Sequence, residues 1–316
     1  ALPRRWESKY VGRITYGTAR ALHAKAYAQR RLWSQMYQAA KDVIETKVYN
    51  LDTPFNEIFR EEGENSSESV WELQCTATIA EPSSNELGSQ FCEVQGCRGS
   101  GTSNLGWGWH MADQSIVDVF ETGDPRRDET LLYFSTPSKP WPSIAPATGN
   151  APFGEFLISQ DGLDGDFYNK KAYCSPKLRD YYGSNSGKWY NIRMIRYSDV
   201  VLMAAEAACE LGSEAMIEEA LDYLEQVRKR ARGTNTNVLP KVTTTNQSEL
   251  RDAIHHERHV ELALEFGRFY DLVRWNEATT VLGNKGYTDK NKYLPLPQTQ
   301  VDASNGVLIQ NPDYVN

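Results

Sequence analysis

The stretch IHHERHVELALEFGRFYDLVRW, Ile254 to Trp275, decides the fold. Its charges sit at helical spacing. Glu257, Glu261 and Glu265 share one face, and Arg258, Arg268 and Arg274 lie within one turn of Glu261, Glu265 and Asp271 respectively, so ion pairs can form along and across the helix. Val260, Leu262, Leu264, Phe266, Phe269, Leu272 and Trp275 are too many for one exposed stripe. Much of the segment is therefore expected to be buried with its charges paired, an ion-pair lattice that docks helices rather than a catalytic set. Gly267 is expected to end the first helix in the left-handed conformation that glycine adopts cheaply, with a second short helix from Arg268 to Glu277.

Working outward, Thr15 to Ala28 and Arg31 to Thr46 read as two helices with apolar residues at i, i+3 and i+4. Ala19, Leu22, Ala26 and Tyr27 are expected to face Leu32, Met36, Ala39, Ala40 and Val43 in an antiparallel, tetratricopeptide-like hairpin. A second pair follows later. Asp199 to Leu211 ends at Gly212, and Ser213 caps the helix running to Arg232. The opening stretch and its short partner make a third pair.

Between the first and second pairs lies a long insertion, residues 49–191, rich in Gly, Ser, Pro, Asn and aromatics. Only short strand-like runs such as Val70 to Cys75 and Thr130 to Phe134 interrupt it, so ordered loops are expected, and long loops on a helical body usually carry function. Pro295, Pro297 and Pro312 predict an extended tail laid back over the body.

Composition narrows the class. The chain has 316 residues, 40% hydrophobic and 24% charged, and no apolar run long enough to span a bilayer as a helix. A net charge of −8 argues against nucleic acid as the main partner, because that needs a basic footprint. Cys75, Cys92, Cys97, Cys174 and Cys209 are an odd number and form no disulfide framework, although Cys92 and Cys97 are close enough to bridge a loop in an oxidising compartment.

Written E-R-x-x-E-L-x-x-E-x-G-R-x-x-D-L-x-R-W, the opening stretch resembles the C-terminal signature of the SusD/RagB family, glycan-binding lipoproteins of Bacteroidetes outer membranes. VYNLDTPFNEIF, SSESVWEL, IVDVFETGDPRRD, IRYSDVVLMAAEA with EQVRKRAR, and YLPLPQTQ with QNPDY look like further landmarks of that family in the same order. The resemblance covers nearly the whole chain. It implies a mainly α-helical fold with tetratricopeptide-like hairpins over residues 1–48 and 192–316 flanking the loop-rich insertion. It also implies a cell-surface protein, not an enzyme, that binds glycan and delivers it to a SusC-like TonB-dependent outer-membrane transporter. Family members carry an N-terminal region with a lipidated cysteine, another hairpin and part of the ligand face. This chain reads as the C-terminal portion, so contact with the outer membrane, on its extracellular face, is expected only through a lipid anchor on the upstream part.

Sugar rings present a C–H face to aromatics and a polar rim to hydrogen-bonding side chains, and the insertion supplies both kinds of group. Trp107 and Trp109 flank one glycine, so in an extended loop both rings point to one side. Trp141 sits between prolines, and Tyr168 lies among Asn and Asp residues. These four are the candidate stacking residues, whereas Trp71 and Trp275 are assigned to the core. Asp161, Asp164 and Asp166 in DGLDGD could wrap a hard cation such as Ca2+, although they miss the EF-hand spacing; otherwise no cofactor is expected. His256 to His259 reads H-E-R-H, one residue short of the zincin motif, so no metal is assigned there. A helical scaffold that binds only protein and a glycoside hydrolase are the competing readings, although no catalytic motif supports the latter.

Overall fold

The computed structural model describes residues 1–99, 104–133, 150–155 and 165–314. Helices α1 (Tyr16–Gln29) and α2 (Trp33–Glu45) form the first hairpin. Thr15 starts α1 by accepting from the Thr18 backbone N–H at 3.1 Å, which satisfies one of the helix's orphan donors. Its buried residues are Gly17, Thr18, Ala21, Ala24 and Ala28, and the three alanines share a core with Met36, Ala39, Ala40 and Val43 of α2. The expected face of Ala19, Leu22, Ala26 and Tyr27 is therefore corrected: Leu22 and Ala26 are exposed. Alanines occur all round α1, so periodicity cannot rank its faces. The tight contact with α2 selects the one with the smallest side chains.

Within the insertion lie five short helices among the described residues: α3 (Phe55–Ile58), α4 (Phe91–Gln95), α5 (Gln114–Asp118), α6 (Pro125–Thr130) and α7 (Pro176–Tyr182). Strand β1 (Ser69–Leu73) pairs antiparallel with β4 (Ile192–Arg196), Trp71 opposite Ile195 and Leu73 opposite Ile192. This ribbon joins the chain near the insertion's start to the chain at its end, so the loops between are fastened to the helical body. Strands β2 (Leu131–Tyr133) and β3 (Phe167–Asn169) make a second two-stranded pair. The expected strands thus form, each slightly shorter than its apolar run.

Helix α8 (Tyr197–Leu211) is buried on almost every face because α2, α9 (Glu214–Arg232) and α10 (Gln247–Glu261) all pack against it. Gly212 leaves α8 at φ 70°, and Ser213 caps α9 as expected. The opening stretch departs from its reading in three ways. First, Gly267 has φ −94° and precedes α11 (Arg268–Trp275), whereas Leu264 takes the left-handed conformation at φ 60°. The turn is held by α10 and α11 docking on different neighbours, not by a glycine stop. Second, α10 lies on α8 and α9 while α11 lies on α1 and on α12 (Ala278–Leu282), so the third hairpin is not a packed pair like the others. Third, Phe266 and Phe269 are exposed rather than buried. The tail also differs, since Pro297 caps a short helix, α13 (Gln298–Ala303). Proline fits a helix start because its missing N–H is not needed there.

Most charges between Glu257 and Arg274 are buried and paired, many of them with partners distant in the chain. Glu257, fully buried, meets Arg126 of α6 and Arg228 of α9, the latter at 3.0 Å. Glu261 meets Arg126 at 3.1 Å and Arg196 of β4 at 2.9 Å, with Arg230 of α9 also in contact. Glu265 meets Arg196 at 2.9 Å and Lys171 at 2.7 Å. Arg258 and Arg274 share Asp271, and Arg274 also pairs with Glu206 of α8. Arg268 makes no salt bridge among the described residues and lies over the Trp275 ring at 5.7 Å. Burial pushes the Glu261 carboxyl up, yet Arg230, Arg196 and Arg126 together outweigh it and hold the group well below the usual carboxylate range. The lattice locks the insertion, through Arg126 and Lys171, onto the helical body.

Candidate functional site

The W-G-W segment is a clamped turn, not a free loop. Trp107 N–H donates to Glu93 O at 2.8 Å and Trp109 N–H to Val94 O at 2.9 Å, so the segment takes up carbonyls that α4 leaves unpaired at its end. Leu105 and Gly106 both donate to Cys97 O at 2.8 Å, and Gly108 donates to Gly96 O at 3.0 Å. The backbones approach so closely that a Cβ on Gly106 would lie 2.2 Å from Glu93 O.

Gly108 has φ 67°, a left-handed position suited to glycine. The two rings do come together, their centroids 4.8 Å apart at 54°, but through this turn rather than the extended geometry expected. Trp107 is half-buried and supports its neighbour, while Trp109 is 71% exposed. The pair is thus a fixed aromatic surface with one ring presented to solvent.

The other candidates separate. Tyr168 is fully buried in β3, packed with Cys97, Leu132 and Tyr173, and its hydroxyl accepts from Gly165 N–H at 3.1 Å. It cannot stack on a sugar from there, because β2 and its neighbours cover the ring. Trp141, Asp161 and Asp164 lie outside the described residues, and Asp166 is exposed. Among the described residues no group of three or more His, Cys, Asp or Glu could hold a metal ion. His255 instead stacks on Trp275 with centroids 3.5 Å apart. Trp275 and Trp71 are half-buried, the former donating to Glu206 at 2.8 Å and the latter packing against the main core. All five cysteines are free, and Cys92 lies beside Cys174, both thiols close to Gly187.

Three further features lie outside these candidates. Tyr181 on α7 is 61% exposed, its ring 5.0 Å from Tyr182, which in turn stacks on Trp189. Phe153 rims a cavity of about 340 Å3 that Arg60, Glu129, Asn150 and Lys170 also line. There the Arg60 guanidinium sits 5.9 Å from the Phe153 ring, and its buried Nη2 has no hydrogen-bond partner. Burial pushes the Lys170 ammonium below its ordinary range, opposed by Glu129 at 3.3 Å. Nothing in F-R or A-P-F marks Arg60 and Phe153 as neighbours in space. A further cavity of about 350 Å3 lies between α1, β4 and the α10–α11 turn, with Phe266 and Tyr270 lining it along with members of the ion lattice.

Fold and site together define a helical-hairpin scaffold with an aromatic surface mounted on its insertion. A family model described as the SusD family matches residues 67–314, and the chain belongs to that family. It is 27% identical to "SusD-like protein P2" of Formosa agariphila over 94% of its own length and 59% of the relative's. A "SusD-like protein" of Bacteroides ovatus is 25% identical over 85% of this chain and 47% of the relative. Among solved structures, a "Laminarin binding SusD-like protein" superposes with a TM-score of 0.76 at 25% identity, covering 99% of this chain and 66% of that one. "Surface glycan-binding protein A from Bacteroides thetaiotaomicron in complex with laminarihexaose" superposes with a TM-score of 0.74 at 24% identity, a likeness of fold, over 98% and 66%. The chain thus spans less than two thirds of each of these proteins. No helix of the described residues is long and apolar enough to cross a membrane.

Proposed function

We propose that this chain binds oligosaccharide at the cell surface and delivers it to a TonB-dependent, SusC-like transporter, with the extracellular face of the outer membrane as its location and a lipid anchor as its attachment. The Trp107–Trp109 pair carries the reading: a rigid, half-supported aromatic surface loses little entropy when a flexible sugar chain settles on it. Family membership and the ligands named for two structural neighbours support glycan as the ligand class. Trp141, read from the sequence, remains part of the proposal as a stacking residue.

Stacking and hydrogen bonding need no chemistry on the ligand, so the protein acts as a binder and not as an enzyme. They need no cofactor either, and unchanged affinity after chelation with EDTA is the expected result. Calorimetry with laminarihexaose and a panel of plant, host and microbial oligosaccharides tests the proposal. At least one ligand should bind, and it should emerge chemically unaltered. Binding by no glycan, or release of reducing ends, overturns it.

A further inference from the structure

The amino-terminal segment and β1 enclose a cavity of about 340 Å3 that shares no lining residue with the Trp107–Trp109 surface. A cavity of this size is in the range that holds a small ligand. Arg4, Arg5 and Arg13 line it on a chain whose net charge is −8, and none of the three is ion-paired to a carboxylate among the described residues. Their nearest acid in sequence, Glu7, pairs with Lys9 at 3.0 Å instead. The cavity's own carboxylate, Glu72, is buried and accepts from Asn65 N–H at 3.0 Å and Asn191 Nδ2 at 3.1 Å. Positive charge therefore faces the cavity without compensation.

Trp6, Arg13 and Arg5 are held in place. Trp6 Nε1 donates to Ile14 O at 3.0 Å, which fixes the indole while leaving it 37% exposed. The Arg13 guanidinium lies 4.2 Å over Tyr10 and 5.6 Å over Trp6, and Arg5 donates to Val48 O at 2.7 Å. Ser66 also lines the cavity, and its buried hydroxyl oxygen has no hydrogen-bond partner.

We infer that this cavity is a second saccharide site, one that takes a sugar bearing an anionic substituent, a uronate carboxylate or a sulfate ester. Arg4 and Arg13 hold the anion by charge-assisted hydrogen bonds, and the Trp6 ring takes a C–H face. A neutral glucan leaves the arginines unused and gains little here. The inference rests on the reading of the chain as a glycan binder but uses none of that site's residues.

Calorimetry on the whole chain with tetragalacturonate, a sulfated galactan tetrasaccharide, laminarihexaose and inorganic sulfate tests it. One of the two anionic oligosaccharides should bind, which also tells carboxylate from sulfate ester, and added NaCl should weaken it. Arg13→Gln, Arg4→Gln and Trp6→Ala should each lower that affinity about tenfold, with an unchanged melting temperature and no effect on any neutral glycan. Trp109→Ala should leave the anionic ligand untouched. Binding by neither anionic oligosaccharide, equal binding of inorganic sulfate, or loss through Trp109→Ala with Arg13→Gln neutral would each overturn the inference. A neutral glycan that fails to bind sinks only the Trp107–Trp109 reading, because the two arms use different residues.

Discussion

At the scale of single residues, burial separates groups that look alike in the sequence. Glu261 is fully buried among Arg126, Arg196 and Arg230, whereas Arg268 is half-buried without a salt bridge. Glu261→Ala leaves three cations facing an empty site and should lower stability by about 3–5 kcal/mol in urea unfolding, while Arg268→Ala should cost far less. Equal losses in the two variants would contradict the lattice described above. Trp109 offers the opposite contrast, since its ring is exposed and supports nothing further. Trp109→Ala should cost roughly 1–3 kcal/mol of glycan affinity with little change in melting temperature. Tyr168→Phe removes only a hydroxyl inside the β2–β3 cluster and should leave affinity unchanged, as calorimetry can verify.

At the scale of elements, the platform depends on how a turn closes a helix. The backbone of residues 105–109 is bonded to α4 and the residues just after it, and Gly108 holds the left-handed conformation that turns Trp109 against Trp107. A side chain at Gly108 strains that turn, so Gly108→Val should weaken glycan binding about as much as losing the ring itself, while the helical body keeps its circular dichroism. Unchanged affinity would mean that the turn does not set the platform. The W-G-W motif was legible in the sequence as a candidate, but its geometry was not. Which backbone bonds a loop makes depends on the carbonyls that α4 leaves open, and α4 itself is too short and mixed in pattern to announce its end.

For the whole molecule, the lattice fixes the response to acid. Burial pushes His255 down to about 4, against the pull of Glu206, and burial with nearby Arg268 takes His259 to about 3. Burial raises Glu206, but Arg274 and Arg258 outweigh it and hold the carboxyl at about 2. Below about pH 6.5 these groups bind more protons in the unfolded chain than in the folded one. Glu64, raised by burial to about 7, offsets part of this between pH 7 and 4.5, and the two histidines outweigh it, so stability falls as pH drops. The histidines cause the first loss, towards pH 4 and 3, and Glu206 adds to it from about pH 4.5 towards 2. Melting temperatures flat between pH 7 and 3 would contradict this. If the delivery proposal holds, the protein should co-purify with an outer-membrane barrel in mild detergent, and repeated failure to do so counts against it. Helix positions, the cap at Ser213, and the burial of most charges in Ile254–Trp275 were determined by the sequence alone, because propensity, capping and apolar spacing act within a few residues. The structure decided the rest: that Glu261 meets Arg126 and Arg196 rather than its own helix, that Tyr168 faces inward, and that α1 buries one alanine face and not another. Those choices depend on which elements pack together, α1 on α2, β2 on β3 and α10 on α8, and short-range sequence pattern does not specify that pairing.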